Sequence, residues 1–213
     1  MLELLLAKYC VPALAGIKAA NLVTCFFAQI PDLKNKIRAL NQSFHARDIY
    51  LVPICECERR VLLLVFRKEV LCRYLKREEI HALLVKAGYP NEFCLDTYLA
   101  ILKELLRDSA FPHEIGAFLG YPAEDITGFI RHKGKNCLLC GEWKVYHHTA
   151  RAKAQFARYA RCKSALTRRV SQGDSLCKIF CTLIQSNILL KANFSTACEH
   201  TVLVCSFLFF CLK

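Results

Sequence analysis

The sequence predicts an α+β fold, predominantly helical with a small antiparallel β-hairpin or sheet, and three observations carry that prediction. Apolar residues recur at helical spacing over most of residues 1–170. Two β-branched and aromatic runs, Ile49 to Cys55 and Arg60 to Phe66, are joined by the polar link Glu56-Cys57-Glu58-Arg59, the pattern of a hairpin. With 213 residues and 54% apolar content, the chain is long enough to bury a core and too apolar for a disordered one.

Residues 1 to 30 read as two helical pieces broken at Cys10-Val11-Pro12, because Pro12 suits a first helical turn and restricts the residue before it. In the second piece Leu14, Ile17, Asn21, Leu22, Cys25 and Phe26 keep helical spacing, and Pro31 ends it. A charged helix is expected from Asp32 to Leu40. In the hairpin, Pro53 cannot donate to a ladder, which places the first strand at a sheet edge or at a bulge. Helices follow over 68–75, 77–87 and 93–108, the last with Leu95, Tyr98, Leu99, Leu102, Leu105 and Leu106 on one stripe. Two more begin at Pro112 and Pro122, the second with Glu124 and Asp125 in its first turn, where carboxylates favour the helix dipole. Trp143 to His147 reads as a short strand, and Thr149 as the N-cap of a long helix to Val170. On that helix Phe156, Tyr159, Leu166 and Val170 share one side, while Arg151, Arg158, Arg161 and Arg168 fall largely elsewhere.

This organisation amounts to one globular domain over 1–171 and an atypical apolar, Cys-rich tail over 172–213. In the tail only Asp174, Lys178, Lys191, Glu199 and Lys213 are charged, and five of the fourteen cysteines lie there. Its run from Thr201 to Leu212 is apolar but too short for a bilayer, which takes about twenty residues, so no transmembrane span is expected. A disulfide framework would need an export signal and compact cysteine spacing. The N-terminus instead carries Glu3 and then Lys8 after a short apolar run. The thiols therefore read as reduced in the cytoplasm, most of them filling core positions.

The formal charge is +12, and between Arg131 and Arg169 eleven Lys or Arg face a single acid, Glu142. A field of that kind attracts nucleic acid, acidic protein surfaces or phosphate ligands; the plainer alternative is a solvated face that aids solubility. Arg151 and Lys153 stand in the first turns of their helix, where each opposes the dipole by roughly 0.3 to 1 kcal/mol. Local helix stability does not account for them. Trp143, Tyr146 and Tyr159 are interleaved with Lys144, Arg151, Arg158 and Arg161, a mixture that stacks bases and pairs phosphates in some proteins. Aromatic packing beneath a basic surface explains the same residues, and no standard nucleic-acid module is present.

The segments Tyr9-Cys10-Val11-Pro12-Ala13-Leu14-Ala15-Gly16-Ile17-Lys18-Ala19-Ala20-Asn21-Leu22, Pro112-His113-Glu114-Ile115-Gly116-Ala117-Phe118-Leu119-Gly120-Tyr121-Pro122 and Cys140-Gly141-Glu142-Trp143-Lys144-Val145-Tyr146 resemble the bacterial family catalogued as domain of unknown function 3793. The resemblance spans roughly residues 1 to 178, and Glu142 stands where the family pattern has an aromatic. It implies a cytosolic, mostly helical protein with no assigned activity.

Three constellations remain. Cys137-Leu-Leu-Cys140-Gly has the spacing of a metal knuckle or a dithiol pair. Zinc or iron would need further ligands, for which Cys162, His147, His148 or Cys10 are the candidates, and the adjacent imidazoles of His147 and His148 point apart on a strand. A thioredoxin-like pair would open a helix, whereas Gly141 and Trp143 lead into a strand. Cys10 precedes a new helix and has Lys18 two turns on, so its thiol is a candidate for partial ionisation, with His113 and Glu114 as a candidate base. The plainer alternative for His113 and Glu114 is a helix start. Gly116, Gly120, Gly128, Gly134 and Gly141 form neither a phosphate loop nor a dinucleotide fingerprint, so their roles are expected in the backbone. The leading expectation is thus a non-enzymatic cytoplasmic binding module whose partner-binding residues are Lys144, Arg151, Arg158, Arg161 and Arg168. Its rival is a metal or thiol-redox site at Cys137, Cys140 and Cys162. The sequence carries no signal for oligomeric state.

Overall fold

The apolar run from Val61 to Phe66 forms the middle strand of a three-stranded antiparallel sheet, and helices cover both faces of that sheet. The computed structural model describes residues 1–107 and 112–182. In chain order the elements are α1 (Leu2–Tyr9), α2 (Val11–Leu14), β1 (Ala20–Phe26), α3 (Leu33–Phe44), β2 (Ile49–Glu56), β3 (Arg60–Arg67), α4 (Lys68–Leu75), α5 (Glu78–Lys86), α6 (Leu95–Leu105), α7 (Ile115–Phe118), α8 (Ala123–Arg131), β4 (Leu139–Cys140), β5 (Lys144–Val145), α9 (Thr149–Ser171) and α10 (Leu176–Thr182). The fold is therefore α+β and predominantly helical. The expected tail from residue 183 onward lies outside the described residues.

Alternation along β3 explains the layering. Val61, Leu63 and Val65 point into one core with α1, α2, α3, the second half of α9 and α10. Leu64 and Phe66 point into a second core with α4, α5, α6, α7 and α8. A strand covered on both faces reads as a continuous apolar run, as this one does. The hairpin partner β2 lies at the sheet edge, in the order β1-β3-β2. Its register slips between Pro53 and Cys55, so the proline sits where its missing N–H disrupts least. Asn41 of α3 meets part of this edge: its Nδ2 donates to the Leu51 carbonyl at 2.9 Å and its Oδ1 accepts from the Leu51 N–H at 2.9 Å. Paired edges do not recruit other chains.

The first strand corrects the expectation of a second helix through Phe26. The helical turn of α2 stops at Leu14, Gly16 takes φ +73, and residues Ala20 to Phe26 pair antiparallel with Phe66 to Arg60. Helical spacing of Leu22, Cys25 and Phe26 was outweighed by β-branched Val23 and Thr24 and by the free edge of β3. Helices α3, α4, α5, α6 and α8 fall within a few residues of their expected spans, whereas the helix expected at Pro112 is one turn long. Beyond residue 171, Leu176, Ile179 and Phe180 of α10 are buried in the first core, and the Leu176 N–H donates to Glu3 of α1 at 2.6 Å.

Both-face burial of β3 has a direct test. Leu63→Ala and Leu64→Ala, on opposite faces, should each cost about 2–5 kcal/mol in chemical denaturation. A hairpin with one solvated face would make one of the two changes nearly neutral.

Candidate functional site

Asp125 organises the region between α8 and α9. It is 3% exposed and accepts from Trp143 Nε1 at 2.8 Å, from the Tyr146 N–H at 2.7 Å and from the His147 N–H at 3.0 Å. A carboxylate in the first turn of α8 thus holds the β4–β5 hairpin and the chain leading into α9. Two glycines allow the close approach. A methyl group on Gly128 of α8 would come 2.6 Å from Tyr146 Cγ, and one on Gly141 would collide with the Phe156 ring. Trp143 stacks on Tyr121 with ring centroids 5.2 Å apart and meets Phe156 edge-on at 4.6 Å. Trp143, Tyr146 and Tyr159 are all buried, so base stacking on these rings is closed and the packing role is the one they perform.

Thr149 is the first residue of α9 rather than its cap. The N-cap is His148, in the left-handed region at φ 49 and with no capping hydrogen bond from its side chain. Helix α9 packs along α1 and α2 with Tyr159 and Leu166 buried and Phe156, Cys162 and Val170 half-buried. Arg151, Arg158, Arg161 and Arg168 are exposed on the other side. None of the four forms an ion pair among the described residues, whose bridges near α9 are Lys18 and Lys163 with Glu142, and Arg169 and Lys178 with Asp174. At 1.5 Å per residue the four arginines span about 26 Å. Lys144, expected beside them, donates instead to the Gly134 carbonyl at 2.7 Å and lies 5.9 Å from the Phe129 ring centre.

Next to the start of this arginine face is a cleft of about 360 Å³ between the Gly16–Ala19 loop, α4, the first turn of α8 and the first turns of α9. Its lining includes Lys18, Arg73, Tyr74, Arg77, Trp143, His147, His148, Arg151 and Tyr159. Lys18 is the buried member, 5% exposed. Its ammonium lies 3.9 Å from Glu142 Oε2 and over the rings of Tyr121 and Tyr159 at 5.5 and 5.6 Å. Glu142 is held more closely by Lys163, at 2.6 Å. Burial lowers the Lys18 pKa to about 8, and Glu142 offsets only part of that. Arg73 and Arg77 had no sequence signal as site residues. One turn apart, they read as the polar side of α4 and α5, and only the tertiary fold brings them to the cleft that Arg151 also lines.

The thiols are not brought together. Among the described residues no three His, Cys, Asp or Glu side chains converge as a metal site requires, so Cys137, Cys140 and Cys162 do not form one ligand set. Cys140 pairs with Lys144 across the β4–β5 hairpin and is exposed, whereas Cys162 packs against the first core and burial raises its pKa. Cys10 corrects the expectation of a partly ionised thiol. It is fully buried and its pKa is pushed well above the ordinary range by burial first and Cys25 second, with Lys18 and Lys163 acting weakly the other way. His113 lies against the Phe129 ring at 5.4 Å and Glu114 precedes α7 as its N-cap. They belong to a helix start.

Over residues 6–180 the chain matches the family described as "Protein of unknown function (DUF3793)", and it belongs to that family. No curated protein and no solved structure matches it. No helix among the described residues is long and apolar enough to cross a membrane.

Asp125→Ala strands three donors, two of them deeply buried, and should lower stability by about 3–5 kcal/mol in urea denaturation. Lys18 gives a pH test. Its folded pKa lies below its unfolded one, so the unfolded chain holds the extra proton between about pH 8 and pH 10.5. Stability contributed at this site therefore rises with pH across that window, by up to about 3 kcal/mol. Lys18→Met should match or exceed the wild type at pH 7, and the advantage should shrink as pH rises to 10. A variant that is less stable at pH 7 would contradict the burial cost.

Proposed function

We propose that this protein is a non-enzymatic cytoplasmic binding module that holds the phosphate backbone of a nucleic acid along the arginine face of α9. The observation that carries the reading is the set Arg151, Arg158, Arg161 and Arg168, exposed on one side of a 23-residue helix and without an ion pair among the described residues. Arginine forks suit phosphate oxygens, and phosphate contact supplies affinity through counterion release.

An acidic protein is the alternative occupant, and the surface between the arginines favours nucleic acid over it. Protein interfaces carry an apolar or aromatic centre. Here the intervening residues are Ala154, Ala157, Ser164 and Ala165, and the large exposed apolar residues, such as Leu4, Ile130 and Leu138, lie on other elements. With Trp143, Tyr146 and Tyr159 buried, the contact is to backbone rather than to bases, so weak sequence preference is expected.

Binding of a fluorescent DNA or RNA duplex, followed by anisotropy across a salt series, tests this. Four phosphate contacts give a log–log slope of about −3 to −4, and Arg158→Gln with Arg161→Gln should reduce its magnitude by about 2. A slope unchanged by the double substitution removes the reading. Salt-sensitive binding of polyglutamate without binding of the duplex would transfer the face to an acidic protein.

A further inference from the structure

We infer that the cleft beside the first turns of α9 is a phosphate-binding site, taking a phosphorylated small molecule or the phosphorylated end of a polynucleotide. This goes beyond the arginine face, with which the cleft shares Arg151 alone: its other cations, Lys18, Arg73 and Arg77, come from elsewhere in the fold. Four cations from three separate parts of the chain line the cleft: Lys18 from the loop before β1, Arg73 and Arg77 from α4 and its exit, and Arg151 from α9. Apart from the 3.9 Å approach of Lys18 to Glu142, none of them forms an ion pair among the described residues.

Three acids, Glu79, Glu124 and Asp125, share the lining with the four cations, and none of the three forms an ion pair with them among the described residues. Asp125 is spent on Trp143, Tyr146 and His147. Glu79 and Glu124, in the first turns of α5 and α8, balance the dipoles of their own helices. The N-cap residues of three helices, Arg77, Pro122 and His148, line this one cleft, and α9 alone has no acid in its first turn. Its uncompensated N-terminus adds to the positive field.

Lys18 is the independent sign of a ligand. At 5% exposure, its ammonium is held by the Glu142 carboxylate at 3.9 Å and by the ring faces of Tyr121 and Tyr159. A buried ammonium whose nearest carboxylate stands at 3.9 Å is costly to keep charged, and an anion in the cleft brings acceptors closer to it. Donors drawn from three segments of the chain suit a tetrahedral oxyanion, whereas a planar carboxylate is satisfied by one arginine fork. The volume of about 360 Å³ exceeds a bare phosphate, and Ile17, Val70, Tyr74 and Trp143 wall the remainder for an organic body.

Isothermal titration calorimetry of the full chain at constant ionic strength tests this with two probes. One is inorganic phosphate, and the other is a short oligonucleotide with or without a 5′-phosphate. Lys18→Met and Arg77→Ala should each weaken phosphate binding by about tenfold or more, while Arg38→Ala, which removes the same charge from α3, should leave it unchanged. Arg77 is exposed, so its variant carries the test if Lys18→Met does not fold. A gain from the 5′-phosphate that Lys18→Met abolishes assigns the site to a polynucleotide end. Binding of inorganic phosphate without that gain assigns it to a small phosphorylated molecule. Absence of binding by either probe, or equal losses in all three variants, overturns the site. Duplex binding through Arg158 and Arg161 survives or fails separately.

Discussion

The path of the chain from the β4–β5 hairpin into α9 depends on one buried carboxylate. Asp125 sits in the first turn of α8, where the helix dipole favours it, and three N–H groups from Trp143, Tyr146 and His147 converge on its two oxygens. Two of those donors are backbone, so the contact fixes the path of the chain as well as a side chain. That path ends at His148, whose left-handed conformation turns the chain into α9. The entry point and direction of the arginine-bearing helix are therefore set by an interaction 25 residues or so earlier in the chain, and so is the wall of the cleft that Trp143 and His147 supply.

Packing around Asp125 makes this constraint hard to relax. Gly128 and Gly141 remove the two methyl groups that would keep the hairpin off α8 and α9. Trp143 then fills the space between Tyr121 and Phe156 while its indole N–H meets the carboxylate. A buried charge is stable here because it is fully hydrogen-bonded. Lys18, one layer away, is the opposite case: it is as deeply buried, yet it has ring faces and a 3.9 Å carboxylate in place of hydrogen bonds.

Much of the fold was legible because its signals are local. The polar link Glu56 to Arg59 marked the hairpin, Pro53 marked an edge strand with an irregular register, and the helices from α4 to α6 follow their apolar stripes. What failed was non-local. Ala20 to Phe26 carry too few residues to separate a 3.6 period from a 2.0 period, and the deciding fact was the open edge of β3 about forty residues downstream. The site divides in the same way. The arginines of α9 were readable from helical spacing within one segment, whereas the cleft joins residues 16–19, 70–79, 120–125 and 143–159. No pattern within any one of those segments announces it. The Cys137–Cys140 spacing shows the converse, since a recognisable local motif found no third ligand among the described residues.

The exposed arginines of α9 follow from how the nearby acids are used. Helix α9 contains no Asp or Glu of its own, so no i,i+4 pair can neutralise it. Glu142 is shared between Lys163 and Lys18, and Asp174 between Arg169 and Lys178. Both carboxylates thus engage Lys163, Arg169 and two lysines outside the helix, and the face of Arg151, Arg158, Arg161 and Arg168 keeps its charge. Such a face costs stability twice: like charges repel along it, and Arg151 opposes the dipole at the N-terminus, each by a few tenths of a kcal/mol to about 1 kcal/mol. Only part of that cost is offset inside the protein. The apolar side of α9 is buried by Tyr159 and Leu166, which anchors the helix without touching the opposite side. An anion supplied from outside would remove both repulsions at once, which is the physical basis of the proposed reading of this face.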